Sequence, residues 1–575
     1  WPWMNTTISE SSTKYEGQAL IGEGGLNQRT KSFIVANYNQ LADMRSDLKL
    51  KVKKESLTGV HLTYVQVFNG VEIYGTEVKV NLTKDESISS SFVHLLPTED
   101  WPTFSSQDSI DGKKNVILFS NNRPEPAFLY RGMNDHGDLC QIIEATNGQG
   151  YQMDLHRHKT GDTRDTVVWV SVFNPDPLTT AQVVYGGDYV NNWDKGSEVL
   201  NAELQYLPIK MRYLSDSIWP ESPYIKLKSI LNDESDMPWT RDDTFFVKRE
   251  DDRFEFLMAY YHISTYKNTL YDLGFEDLMT YQLPVYPRNV NSDDSYFQPD
   301  GNNDGTGTLN FGYSTDSNQH VDDAEDADVI IHEYGHAISH HANVNELLGK
   351  ARKSVEEGVC DFLAAVYSHE LSEFGSDRVY SWDGHNPFWE GRICNTTLKG
   401  SGYSGSNTIY RNGEIISSAL FDIYLELGAE VTQKIFLNSL YSYADRMDFF
   451  EAPKLFMISE KELYNGLYQD KICRIFTKYE LVDKEVCISG FQEKNERLSV
   501  QIDHYAFRNN GALKISFPRP FSGQIKLIDL TGRELYSTYV EQQEDFETQT
   551  QELPEGIYMV EVHNGWRAQS FKLIR

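Results

Sequence analysis

A chain of 575 residues is too long for one compact core and is expected to fold as two to four domains. With 39% hydrophobic and 13% aromatic residues the composition argues against a disordered chain despite a formal net charge of -32, and that charge argues against nucleic acid, whose affinity rests on Lys and Arg neutralising phosphates. No run of about 18 apolar residues occurs, so no transmembrane helix is expected.

The opening WPWMNTTISESS lacks a charged start with an apolar stretch behind it, so any secretory signal is expected to have been removed or omitted. Residues 60–82, VHLTYVQVFNGVEIYGTEVKVNL, alternate apolar and polar side chains about Asn69-Gly70, the pair best suited to a two-residue hairpin turn. Short strand-like runs follow from 116 to 145, and the polar stretch LHRHKTGDTRDT, 155–166, reads as a boundary or cleavage zone. From about 166 to 490 the pattern turns mainly helical, with two long apolar-periodic segments that end on Gly274 and Gly428. After about 496 it returns to short strands, which predicts a small sandwich of about 80 residues. The five cysteines, Cys140, Cys360, Cys394, Cys473 and Cys487, form no CxxC pair; Cys473 and Cys487 fit a local disulfide, with other pairings open.

The segment ADVIIHEYGHAISHHA, 327–342, places His332 and His336 four apart with Glu333 beside the first. Positions i and i+4 share a helix face, so both imidazoles reach one ion at about 2.0–2.1 Å. Glu333 then projects one residue round, a carboxylate beside the ion that does not ligate it, which is the place of a general base. A catalytic zinc needs a third protein ligand. Ser339 and Ala342 stand where a metzincin carries its glycine and third histidine, which excludes that class.

In SVEEGVCDFLAA, 354–365, Glu357 and Asp361 are again four apart on a second expected helix. Glu357 can ligate while Asp361 hydrogen-bonds a ligand histidine. Glu356 competes for the ligand role, but its i+4 neighbour is Cys360, a poorer orienting group, so Glu357 is preferred. His340 and His341 read as ordinary polar or buried histidines. The loop DGNNDG, 300–305, starts like a calcium loop but has Phe311 at position twelve, so a plain turn is expected. The acidic run VDDAEDAD, 321–328, is expected to cap a helix start and to be solvated, with calcium as the alternative.

DADVIIHEYGHAI followed by EGVCD resembles the thermolysin and fungalysin type of zinc metallopeptidase. The resemblance implies His332, His336 and Glu357 as zinc ligands, Glu333 as base, and Asp361 behind a ligand. In that family a histidine that hydrogen-bonds the developing oxyanion lies three residues before the Gly-Glu of a helix. TIYRNGEI puts Tyr410 there, and a phenol still donates one hydrogen bond. The segment GVHLTYVQVFNGVEIYGTEVKV looks like the fungalysin/thermolysin propeptide, which acts as chaperone and inhibitor. IDLTGRELYS, LPEGIYMVEV and the basic ending resemble the C-terminal sorting domain of type IX secretion.

The resulting expectation is a multidomain α+β chain. It has a β-rich propeptide with its adjoining pro-region (1–160), a thermolysin-like, mainly helical zincin domain (161–492) and a C-terminal β-sandwich for sorting (493–575). The implied activity is a secreted or cell-surface zinc endopeptidase of a Gram-negative bacterium, with Zn2+ as cofactor and Ca2+ left open. Its implied partners are polypeptide substrates, its own propeptide as inhibitor and the secretion machinery. The alternative is a catalytically impaired, metallopeptidase-like surface binding protein, for which the missing histidine speaks.

Overall fold

The computed structural model describes residues 18–20, 24–37, 46–73, 75–96, 114–120, 123–133, 139–145, 150–151, 164–214, 216–229, 237–292, 294–300, 304–313, 320–483, 504–507, 512–529, 534–549, 557–563 and 568–574. The expected boundaries at 160/161 and 492/493, the stretch 155–163, Cys487 and Asn302 lie outside them.

Asn69 and Gly70 adopt φ of 51° and 83°, the positive values that a two-residue hairpin turn demands and that Asn and Gly tolerate best. Phe68 pairs with Val71 across the turn. The strands around it are β1 (Gln18–Ala19), β2 (Ser46–Glu55), β3 (Gly59–Phe68), β4 (Val71–Ile73), β5 (Glu77–Thr83), β6 (Ser87–His94), β7 (Lys114–Ser120), β8 (Arg123–Met133), β9 (Leu139–Ala145) and β10 (Gly150–Tyr151). They form one sheet in the order β1-β6-β5-β3-β4-β7-β8-β9-β10, with β2 on β3. The chain leaves β3 after Ile73, where the Thr76 hydroxyl donates to the Ile73 carbonyl at 2.8 Å and accepts from the Gln66 N–H at 3.1 Å. It rejoins β3 as β5, from Tyr64 opposite Val78 onward. Helix α1 (Leu26–Asn37) closes this core with Phe33 and Ile34 against Leu62, Tyr64, Val78 and Val80.

The middle region is more mixed than a mainly helical reading implies. It opens with β11 (Arg164–Val172), β12 (Gln205–Leu214), β13 (Ser217–Trp219), β14 (Ile225–Leu227) and β15 (Thr244–Phe245), then β16 (Leu283–Val290), β17 (Tyr296–Pro299) and β18 (Gly307–Gly312). These make two four-stranded sheets, β13-β12-β11-β15 and β14-β16-β18-β17. In β11 the alternation is plain: Val168, Val170 and Val172 are buried, while Val167 and Trp169 face outward. Helix α2 (Phe254–Asp272) lies between β15 and β16 in sequence and ends at Gly274, φ 88°. Helices then take over: α3 (Ala327–Asn343), α4 (Lys350–His369), α5 (Ile409–Leu427), α6 (Ala429–Leu440), α7 (Glu451–Tyr464) and α8 (Gln469–Lys478), with the two-residue strands β19 (Arg378–Val379) and β20 (Arg392–Ile393) between α4 and α5. One continuous core joins both sheets and all these helices.

The C-terminal strands β21 (His504–Phe507), β22 (Ala512–Asp529), β23 (Glu534–Gln549), β24 (Ile557–His563) and β25 (Ala568–Ile574) form an antiparallel sheet with its own core of Leu513, Ile515, Ile525, Leu527, Val560 and Val562. Among the described residues no helix is long and apolar enough to cross a membrane. Cys473 is disulfide-bonded, whereas Cys360 and Cys394 are buried free thiols.

The N-terminal sheet docks on the helical region through polar contacts. Lys79 of β5 is 1% exposed, and its ammonium donates to the Tyr443 carbonyl at 2.8 Å. Glu77 accepts the Asp445 N–H at 2.8 Å, Thr58 donates to Glu462 at 2.7 Å, and the His61 ring stacks on Tyr441 with centroids 5.4 Å apart.

Candidate metal centre and active site

Asp326 starts α3: one carboxylate oxygen accepts the Asp328 N–H at 2.8 Å, and Val344 ends the helix in the left-handed region. Ile330, Ile331, Ala337 and Ile338 root one face of α3 in the core, which turns His332 and His336 to the other. The acidic run is not solvated as expected. Asp322, Asp323, Glu325, Asp326 and Asp328 are all at most 4% exposed. Arg249 pairs with Glu325 at 2.8 Å and Arg288 with Asp322 at 2.9 Å. Asp326 also accepts the Trp382 and Asp383 N–H groups, and Asp328 accepts the Tyr380 N–H. The run therefore ties the 380–383 loop to the start of α3, and this loop leads through the β19–β20 pair to Arg392.

Helix α4 meets α5 backbone to backbone. A methyl on Gly358 would lie 2.4 Å from the Gly413 carbonyl oxygen, so only two glycines allow the approach that sets Glu357 beside the N-terminal turn carrying Tyr410.

The structure brings together His332, His336 and Glu357. His332 Nε2 lies 3.2 Å from His336 Nε2 and 3.4 Å from Glu357 Oε2, and His336 Nε2 lies 3.9 Å from Glu357 Oε1. Ligand atoms about 2.0–2.1 Å from a tetrahedral ion stand roughly 3.3 Å apart, so the three groups fit one zinc. Glu333 is 7% exposed, and its Oε2 has no hydrogen-bond partner among the described residues. Asp361 Oδ1 faces His332 Nδ1 at 2.9 Å and also receives the Tyr380 hydroxyl at 3.0 Å and Arg392 at 2.8 Å.

The electrostatics favour a cation at this place. Burial pushes the His332 imidazole down, but Asp361 and Glu357 outweigh it and hold the ring up at about 9. Burial pushes Glu357 up, yet His332, Arg392 and His336 draw it well below the usual carboxylate range. Glu333 goes the other way, raised by burial that the two histidines only partly offset.

Sequence reasoning missed three residues. Arg392 reaches Glu357 at 3.2 Å as well as Asp361, and its guanidinium carbon sits 4.2 Å from the Tyr410 ring centroid. Only tertiary contact brings it there. Tyr380 has the same long-range origin. Glu356, weighed as a rival ligand, instead stands behind His336, with Oε1 3.4 Å from Nδ1 and Oε2 2.6 Å from Arg352. The signal for Arg352 was its place four residues before Glu356 on one helix. Tyr410 is 45% exposed, and burial together with Glu357 raises its phenol above the ordinary value.

The remaining candidates lie apart. His340 Nδ1 contacts the Asn345 carbonyl at 3.0 Å beyond the helix end, and His341 stacks on Tyr281 with centroids 5.9 Å apart. At the described ends of the 300–305 stretch, Thr306 donates to Asp304 at 2.7 Å, and Phe311 is fully buried. Among the described residues, the three-ligand groupings are His332/His336/Glu357 and His336/Glu356/Cys360, neither of them in the calcium candidates.

A family model for the Fungalysin/Thermolysin Propeptide Motif matches residues 48–92, and one for the Secretion system C-terminal sorting domain matches residues 509–575. The chain joins a fungalysin/thermolysin-type propeptide to a type IX sorting tail. No curated protein matches it. The tail marks a secreted or cell-surface protein of a Bacteroidetes-type Gram-negative bacterium. The matched propeptide segment runs from β2 to β6 and includes the docking residues His61, Glu77 and Lys79.

Proposed function

We propose that this protein is a secreted zinc-dependent endopeptidase with Glu333 as general base, made with its inhibitor in the same chain. The observation that carries the reading is the triangle of His332, His336 and Glu357 with the buried Glu333 carboxylate beside it. Two imidazole nitrogens and one carboxylate oxygen are the donor set of a catalytic zinc, and each imidazole has a carboxylate behind its other nitrogen. When bound, zinc supplies Lewis-acid polarisation of water and of the scissile carbonyl.

The chain's own groups do the rest. Glu333 accepts a proton from the attacking water at its carboxylate and delivers it to the leaving amine nitrogen, and its raised affinity for a proton suits both halves of that task. The Tyr410 phenol donates a hydrogen bond to the oxyanion as the carbonyl carbon becomes tetrahedral. Arg392, in ion pairs with Glu357 and Asp361, holds the Tyr410 ring against its guanidinium face. No covalent bond to the protein forms.

Elemental analysis and casein digestion with and without a chelator test the reading together. About one zinc per chain, and digestion lost to the chelator and restored by zinc, are expected; cleavage by a metal-free protein would refute it. Tyr410 in the family histidine's place favours a second reading, a zinc-holding surface protein without turnover. Bound zinc with no digestion, even after the pro-region is cut away, would decide for that one.

A further inference from the structure

Each of the two histidines of α3 has a carboxylate behind it, and Cys360 Sγ also lies 3.4 Å from His336 Nδ1. His332 Nδ1 faces Asp361 at 2.9 Å, and Asp361 pairs with Arg392 at 2.8 Å. His336 Nδ1 faces Glu356 Oε1 at 3.4 Å, and Glu356 Oε2 pairs with Arg352 at 2.6 Å. In each case a carboxylate stands between an imidazole and an arginine. Ser339 donates to the same Glu356 Oε2 at 3.0 Å, and Asn343 donates to Ser339 at 3.2 Å. One oxygen of Glu356 is thus held by two donors while the other is left toward the ring.

Arg352 is 0% exposed. Its Nε and Nη2 have no hydrogen-bond acceptor among the described residues, and its guanidinium carbon lies 5.3 Å from the Tyr443 ring centroid. A guanidinium fully removed from water is costly unless paired, and its one short polar contact is Glu356. The effect of this residue therefore passes through that carboxylate.

We infer that Arg352 is a positioning residue of the metal centre: by pinning Glu356 Oε2 it aims Oε1 at His336 Nδ1 and so turns His336 Nε2 toward His332 and Glu357. An imidazole that donates its Nδ1–H to a carboxylate keeps the Nε2 lone pair free for a metal and is a stronger donor there. The inference rests on the zinc reading above. A rival use of the same atoms, a second cation held by His336, Glu356 and Cys360, is opposed by the structure. It would need the Nδ1–H removed from a ring already ligating through Nε2, with a guanidinium 2.6 Å from one of its ligand carboxylates.

The test is a double-mutant cycle read as zinc affinity, by chelator competition on the full chain carrying Glu333→Gln so that it stays intact. Arg352→Met should weaken zinc binding by about tenfold or more, the range for lost outer partners. Added to Glu356→Gln it should do almost nothing further, because the charge it acts on is gone. The visible spectrum of the cobalt-loaded chain should shift in Arg352→Met and not on adding it to Glu356→Gln. Should Arg352→Met fail to fold, Arg352→Lys runs the same cycle, with a smaller loss confined to the Glu356 background. An equal loss in both backgrounds, or unchanged affinity and spectrum, would overturn the inference and leave the peptidase reading standing. A Glu333→Gln chain that takes up no zinc at all would overturn both.

Discussion

Gly358 and Gly413 touch through their backbones, one from each of the two helices that carry the candidate ligand Glu357 and the phenol Tyr410. A methyl group at Gly358 meets the Gly413 carbonyl oxygen at 2.4 Å, too close for any relaxation that leaves α4 in place. Gly358→Ala is therefore expected to destabilise the protein by roughly 1–3 kcal/mol or more, as overpacking does. Zinc affinity should fall with it, since Glu357 is the adjacent residue. Thermal unfolding and chelator competition check the two effects.

Glu333→Gln keeps the shape of the side chain and removes its basicity. Zinc content and fold should be retained while casein hydrolysis falls by about a hundredfold or more, the scale of a positioned general base. Full activity in this variant would take Glu333 out of the mechanism.

Tyr410→Phe keeps the ring on the Arg392 guanidinium and removes only the hydroxyl. If that hydroxyl serves the oxyanion, kcat should drop by roughly tenfold or more with KM little changed. An unchanged kcat would assign Tyr410 to packing.

The folded N-terminal sheet should be sensitive to acid through His61. Burial pushes this ring from 6.5 down to about 3, against the opposing hydrogen bond with Asn81, and it lies on Tyr441 across the interface. A base whose folded value is depressed stabilises the folded state above its free value of about 6.5, and that stability is lost as pH falls toward the folded value. At pH 5 the loss is about 2 kcal/mol, from roughly 1.5 units at about 1.36 kcal/mol each. In His61→Gln this part of the pH dependence should vanish from thermal unfolding between pH 7 and pH 5.

Lys79 fastens the same interface. Lys79→Met removes the ammonium from the Tyr443 carbonyl and leaves Glu77 and Asp445 buried with less positive charge nearby. Docking should weaken by a few kcal/mol, the usual outcome of taking one partner from a buried charge group. Faster proteolytic release of the pro-region would show it; an unchanged rate would mean that the apolar contacts suffice.

Much of the local structure was readable without coordinates. Asn69-Gly70 announced its hairpin because few residue pairs accept two positive φ values. The segments ending on Gly274 and Gly428 announced helices by period and stop signal. The two sheets between 164 and 312 were harder, because strands such as β13 and β14 are only three residues long and too short to display a period. The acidic run was misread for another reason. Its partners Arg249 and Arg288 lie tens of residues upstream, and nothing local foretells that they will meet it.

By itself the sequence determined which side chains share a helix face: His332 with His336, Glu357 with Asp361, and Glu333 one step aside. Spacing along a helix is a local rule, obeyed wherever the helix lies. Only the tertiary structure decided that the two helices would bring those faces together, that Glu356 would stand behind a histidine, and that Arg392 would reach the site from a distant strand. Those outcomes depend on Gly358 meeting Gly413, and on buried carboxylates at the start of α3 capturing the 380–383 loop, which are contacts between residues that no period along the chain connects.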